Sequence, residues 1–214
     1  MELTNTWSHA NTTDFWGEIA PCEHVVQIYD NEEVFLDLLE GFVSGGIKAG
    51  DCVIVIANAA HLTGLEQRLK ADGFNVFDLV LRDQYIPLDA EETLSKFMIG
   101  NWPDPNLFRH LVSGLIHRAK RNKRPVRAFG EMVALLWSKG LNGATVQLEH
   151  LWNNFCETES FALFCAYPRS GFTESASESI MHICGWHSKM IAGIGKVNGE
   201  ILYQETGRKK AVGA

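Results

Sequence analysis

No two cysteines in this chain are spaced C-x-x-C, and the five present (Cys22, Cys52, Cys156, Cys165 and Cys184) are odd in number and widely scattered. That excludes a redox dithiol motif or a closed disulfide framework and reads as thiols kept in a reducing compartment. No run of about 18 apolar residues is available to span a bilayer, and the N-terminal stretch lacks the basic region and apolar core of a secretory leader. The expected location is cytoplasmic. Positive charge is also scarce: 19 Lys and Arg stand against 26 Asp and Glu, for a net charge of -7. Since binding to nucleic acid or anionic membrane begins with phosphate neutralisation, neither is expected as a direct partner. G-x-S-x-G, H-E-x-x-H and usefully spaced carboxylate pairs are missing too, so no enzymatic activity and no cofactor are expected.

What the chain does have is 214 residues at 46% hydrophobic and 21% charged, enough for one sizeable core. No internal repeat, low-complexity linker or leftover helix-turn-helix interrupts it. Residues 1–22 carry Trp7, Phe15 and Trp16 among small polar residues and read as an N-terminal arm. Residues 23–195 read as one domain, and 196–214 as a C-terminal edge strand with a basic tail.

Within the domain, strand and helix patterns alternate. "HVVQIYD" is β-rich, and the helix after it has Asp30 as its candidate N-cap with Glu33 completing a capping box. "DCVIVIA" (51–57) is apolar without alternation, as expected of a strand buried on both faces of a parallel sheet. "HLTGLEQRLKADG" predicts a helix ending at Gly73, and "LVLRD" (79–83) a third strand. Asp89 with Glu92 opens another helix, and Asp104 with Pro105 a further one. "PVRAFGE" (125–131) returns to strand. A helix with a break around 140–143 follows, then the apolar strand "SFALFCAYP" (160–168). Ser175 with Glu178 caps a last helix, "ASESIMHICGWHSKMIAG" (176–193), and "GEILYQE" (199–205) reads as an edge strand. This order predicts an α/β fold in three layers, a mostly parallel sheet with helices on both faces.

The stretch "GGIKAGDCVIVIANAAHLTGLEQRL" has the layout of a phosphate-binding strand, loop and helix without its chemistry. A P-loop, G-x-x-x-x-G-K-[ST], needs glycines for backbone approach, a lysine for the β and γ oxygens and a hydroxyl for Mg²⁺. Laid over residues 57–64, Leu62 and Thr63 stand where Gly and Lys would, and Gly64 where the hydroxyl would. Tight Mg-nucleotide binding is not expected there. The geometry remains: a strand end facing a helix N-terminus at the carboxyl edge of a parallel sheet, where α/β proteins place ligands. Asn58, His61 and Thr63 are the candidate ligand contacts on this loop, against plainer readings as a cap and a surface histidine. Glu131, directly after an apolar strand and Gly130, is a candidate acceptor or base in the same cleft, or simply a first-turn carboxylate favoured by the helix dipole.

Four segments, "HVVQIYDNEEVFLDLLEGFVSGGIKAGDCVIVIA", "RAFGEMVALLWSKGLNGATVQLEHLWNNF", "FALFCAYP" and "HICGWHS", together resemble the MEDS family over about residues 24 to 190. MEDS is the sensory domain named for methanogens, methylotrophs and the dichloromethane-responsive repressor DcmR. The resemblance implies a RecA/KaiC-like fold with a degenerate phosphate loop. It also implies a prokaryotic signalling role, sensing small organic molecules, in domains often fused to helix-turn-helix, histidine kinase or sigma-regulatory modules. With no output module in this sequence, the signal is expected to pass to a separate signalling or transcription-regulatory protein or to a change of homo-oligomer.

Family-typical positions here are His24, Tyr29, Asp30, Glu131, Trp137, Glu149, Trp152 and His187. Tyr29, Asp30 and Glu131, at strand ends, read as cleft residues, with His24 and His187 as further ligand candidates. Trp137 and Trp152 read as core, and Glu149 as a solvated or ion-paired helix residue. Cys22, His24, Cys184 and His187 could form a zinc set if the first strand met the last helix. Buried Cys and His are ordinary core residues, however, and no metal is expected. Cys165, in an apolar strand, reads as inert. The basic run "RAKRNKRPVR" complements a helix end or docks an acidic partner.

Three functions stay open: a ligand-responsive regulator, a residual nucleotide switch or ATPase using Glu131 and Asp30 around a metal, and a ligand-free interaction module.

Overall fold

The computed structural model describes residues 7–171, 183, 185–192 and 200–206. In chain order these form β1 (Ser8–Asn11), α1 (Thr12–Gly17), β2 (His24–Tyr29), α2 (Glu32–Ala49), β3 (Cys52–Ala57), α3 (Ala59–Ala71) and α4 (Val76–Leu81). There follow β4 (Tyr85–Asp89), α5 (Ala90–Ser95), β5 (Met98–Ile99), β6 (Trp102–Pro103), α6 (Pro105–Lys120) and β7 (Val126–Gly130). The last are α7 (Met132–Ser138), α8 (Asn142–Glu159), β8 (Ala162–Pro168), β9 (Lys189–Ile191) and β10 (Glu200–Glu205).

The eight-stranded sheet has the order β1-β10-β9-β2-β8-β7-β3-β4. From β9 to β4 all neighbours run parallel, whereas β10 is antiparallel to both β9 and β1. The unbroken apolar runs of β3 and β8, and the wholly buried β2, lie inside the sheet because both of their faces are covered. Alternation within β3 shows this directly: Cys52, Ile54 and Ile56 face the core under α5, α6, α7 and α8, and Val53, Val55 and Ala57 face the core under α1, α2, α3 and α4. The fold is therefore the three-layer α/β arrangement expected.

Caps start the helices where the sequence is polar. Asp89 accepts from the Glu92 amide, and Asp104 accepts from the amides of Asn106 and Leu107 ahead of α6, with Pro105 at its start. The gap between α7 and α8 falls at the predicted break, where Gly140 takes φ 72°.

Several local expectations are corrected. The cap of α2 is Asn31, whose side chain accepts from Glu33 and Val34, while Asp30 turns outward to Arg169. Residues 79–83 are not a strand: Asn75 caps α4, which buries Val76 and Leu79, three apart, and exposes Phe77 and Leu81. Its β-rich composition masked a helical period, and the third strand is β4, beside β3. Lys189–Ile191 is strand β9 rather than helix, while Ser175 and Glu178 lie outside the described residues. β10 is not an edge strand, because β1 pairs outside it. Thus part of the predicted arm joins the sheet, and α1 seats Trp16, wholly buried, 5.1 Å from the rings of both Phe42 and Phe164.

The basic run is largely paired within the fold. Arg118 bonds Asp83, Lys120 bonds Glu159, and buried Arg127 bonds Asp51 and the carbonyl of Trp16. No helix among the described residues is long and apolar enough to cross a membrane.

Candidate functional site

At the carboxyl edge of the sheet, β3 ends at Ala57 and β7 at Gly130, side by side through the Ile56 and Gly130 pairing. Each chain then turns into a helix. Asn58 caps α3 with its side-chain oxygen on the His61 amide at 2.9 Å. Glu131, 6% exposed, bridges the two turns. Its Oε2 accepts from the Asn58 backbone N–H at 3.0 Å and its Oε1 from Asn58 Nδ2 at 2.7 Å. His61 Nδ1 lies 2.9 Å from the same carboxylate, and its Nε2 lies 2.8 Å from Glu32 Oε2 on α2.

Burial disfavours a charged His61, but the hydrogen bonds and charges of Glu131 and Glu32 outweigh it and raise the imidazole above its ordinary value. Both ring nitrogens of His61 thus face carboxylates. Phe35 packs edge-on to it at 4.8 Å, and Tyr29 stacks on Phe35 at 4.7 Å. Burial, followed by the charges of Glu32 and Glu131, pushes the Tyr29 phenol well up, so it stays protonated.

The structure therefore brings Asn58, His61 and Glu131 together, with Tyr29 beneath them. Thr63 does not join: its Oγ1 donates back to the Ala59 carbonyl at 2.8 Å, along its own helix. Asp30 sits at the rim in an exposed pair with Arg169 at 2.9 Å. Sequence reading missed Glu32, whose only signal is its place in the first turn after β2. The Asn58 amide and side chain bond a protein carboxylate, and Glu32 brings a second one to His61, whereas Asp30 and Glu33 pair with Arg169 and Arg68. Two concavities lie elsewhere. One of about 260 Å³ is lined by Thr12, Gly41 and Lys48 between α1 and α2, and one of about 180 Å³ is lined by Phe108 and Phe155 between α6 and α8.

His24 and His187 belong to a different place. His24 opens β2, five residues before Tyr29, which is roughly 16 Å along a strand. Its ring centroid lies 4.0 Å from that of His187. His24 Nε2 is 3.3 Å from Cys165 Sγ and 3.6 Å from Glu149 Oε2, and His187 Nε2 is 3.7 Å from the same oxygen. All four residues are buried, and one ligand atom from each lies within 4.8 Å of all the others. Tyr167 donates its hydroxyl to Glu149 Oε1, and His187 Nδ1 lies 2.7 Å from the Ile183 carbonyl.

Burial raises the Glu149 carboxyl to about 7 despite the Tyr167 bond, which lowers it. Of the two readings of Glu149, solvated or ion-paired, the first is corrected: it is buried on α8 beside His24 and His187. Cys22 does not join the cluster, its Sγ being 4.0 Å from the Glu157 carbonyl, and Cys184 lies outside the described residues.

The model of one family, described as MEDS, the MEthanogen/methylotroph, DcmR Sensory domain, matches residues 23–187. Among curated proteins, none matches the sequence. Solved structures are similar in fold. The KaiC-like protein PH0186 from the hyperthermophilic archaeon Pyrococcus horikoshii OT3 superposes with a TM-score of 0.54 at 9% identity, over 80% of this chain and 72% of that one. A second protein of that organism, PH0250, gives 0.55 at 16% identity, over 90% and 91%. These likenesses show a RecA/KaiC-like fold.

Proposed function

The chain belongs to the MEDS family of sensory domains, and from that premise we propose that it is a non-enzymatic sensor that takes a small organic molecule at the carboxyl edge of the sheet. The observation that carries this reading is the double bond of Glu131 to Asn58, at 3.0 and 2.7 Å. A protein carboxylate stands where the fold's nucleotide-binding relatives need room for phosphate. With Glu131, Glu32 and Asp30 as acceptors and Tyr29 and Phe35 as apolar floor, the edge suits a small neutral or cationic compound carrying hydrogen-bond donors. An anion does not suit it. Such a ligand competes for Glu131 and loosens its hold on Asn58 and His61. The consequence is a shift between two arrangements of α2, α3 and α7, read out by a separate signalling or transcription-regulatory protein. The shift is as large as the ligand's differential affinity for the two states.

Thermal shift tests this, since a compound selective for the native state raises its stability. Small alcohols and amines should include a compound that raises the melting temperature, and Glu131→Gln should abolish its effect. ATP or GTP with Mg²⁺ should leave the melting temperature unchanged. A nucleotide-dependent rise, or steady nucleotide turnover by the pure protein, would overturn the reading.

A further inference from the structure

We propose that His24, Glu149, Cys165 and His187 form a closed four-coordinate site for one divalent transition-metal ion of zinc type, distinct from the carboxyl-edge network. The first support is distance. Bonds of about 2.0 Å to nitrogen or oxygen and about 2.3 Å to sulfur in a tetrahedral site imply donor separations of roughly 3.3 to 3.5 Å. Three of the six separations here are 3.3 Å from His24 Nε2 to Cys165 Sγ, and 3.6 and 3.7 Å from Glu149 Oε2 to the two histidines, and all six are within 4.8 Å. An ion would draw the wider pairs together by about an ångström.

The second support is the chemistry around the donors. Metal-bound histidine usually donates its other ring nitrogen to a carbonyl, and a bound carboxylate is itself hydrogen-bonded. His187 Nδ1 sits 2.7 Å from the Ile183 carbonyl, leaving Nε2 directed at the cluster. Tyr167 holds Glu149 Oε1, leaving Oε2 between the two imidazoles.

The third is charge. Two neutral imidazoles, one thiolate and one carboxylate balance a divalent cation, so the occupied site is neutral in an interior that tolerates no net charge. Binding replaces the Cys165 thiol proton, which leaves to solvent, with a bond from the sulfur to the ion.

The donors come from four separate parts of the chain: β2, α8, β8 and the turn before β9. His24, Cys165 and Tyr167 share the face of the sheet that α8 covers, because they alternate along adjacent parallel strands. The ion would thus tie the turn at His187 to the centre of the sheet. Since all four donors are buried and no position opens to solvent, the role is structural rather than catalytic.

The test uses the full-length purified protein. Elemental analysis should find about one zinc per chain. Protein stripped by a chelator and refilled with Co²⁺ should show the visible bands of tetrahedral cobalt together with a thiolate-to-cobalt charge-transfer band. Cys165→Ser should lose the charge-transfer band, whereas Cys22→Ser should keep it. Stripping should lower the melting temperature of the wild type, and refilling should restore it. Natively folded wild-type protein that neither retains metal nor develops the cobalt spectrum would overturn the proposal, as would a spectrum unchanged in Cys165→Ser. Loss of the edge-ligand response leaves this result untouched, because the two sites share no residue.

Discussion

Glu131 Oε2 lies 2.9 Å from Nδ1 of His61, 70 residues away in sequence, and the pair closes the turn between β3 and α3. Its consequence is a pH-dependent contact. The folded-state value of His61 is raised, so its contribution to stability is fully present below the ordinary histidine value of about 6.5. That contribution is lost as pH rises through the higher folded value. In urea denaturation, the stability advantage of wild type over His61→Gln should therefore be greatest in mildly acidic buffer and shrink as pH rises above about 6.5.

Replacing the other partner should act on the same contact. Glu131→Gln removes the charge that holds His61 protonated and disturbs two bonds to Asn58. A cost of about 1–3 kcal/mol is expected for a buried hydrogen-bonding group left partly unsatisfied. NMR titration of the His61 ring should show its pKa falling in the variant.

Arg127 and Asp51 form a buried ion pair at 2.5 Å. Removing one member strands a buried charge, so Asp51→Ala should cost about 3–5 kcal/mol. The double variant Asp51→Leu with Arg127→Met should cost less than the single one, because no lone charge remains. Equilibrium denaturation of the three proteins checks the order.

The N-terminal segment should behave as part of the core. A Cβ on Gly41 would fall 2.8 Å from Thr12 Cγ2 and 3.1 Å from Trp16 Cδ1, whereas one on Gly17 meets nothing within 4 Å. Gly41→Ala should destabilise by about 1–3 kcal/mol through overpacking, and Gly17→Ala should not. Trp16→Ala, which empties a wholly buried position, should cost about 3–5 kcal/mol.

How much was legible in advance depended on the range of the signal. The layered α/β fold was readable because a strand buried on both faces is mostly apolar, as β3 and β8 are throughout. Caps such as Asp104 with Pro105 act within three residues, so sequence located α6 directly. Asp30 and Asn31 are adjacent possible caps, and the choice fell to Asn31 because Asp30 is drawn to Arg169, 139 positions away. Residues 79–83 misled for a related reason, as their apolar content suits strand and helix alike until burial selects the helical face.

The lack of a lysine and of paired glycines at residues 57–64 was settled by sequence alone, because residue type dictates the charge and backbone approach a phosphate requires. That Glu131 meets Asn58 and His61 at the sheet edge, and that His24, Glu149, Cys165 and His187 meet in the interior, only the tertiary structure decided. Parallel strands are joined by long crossovers, so residues that touch across them are separated by lengths of chain that no local pattern records.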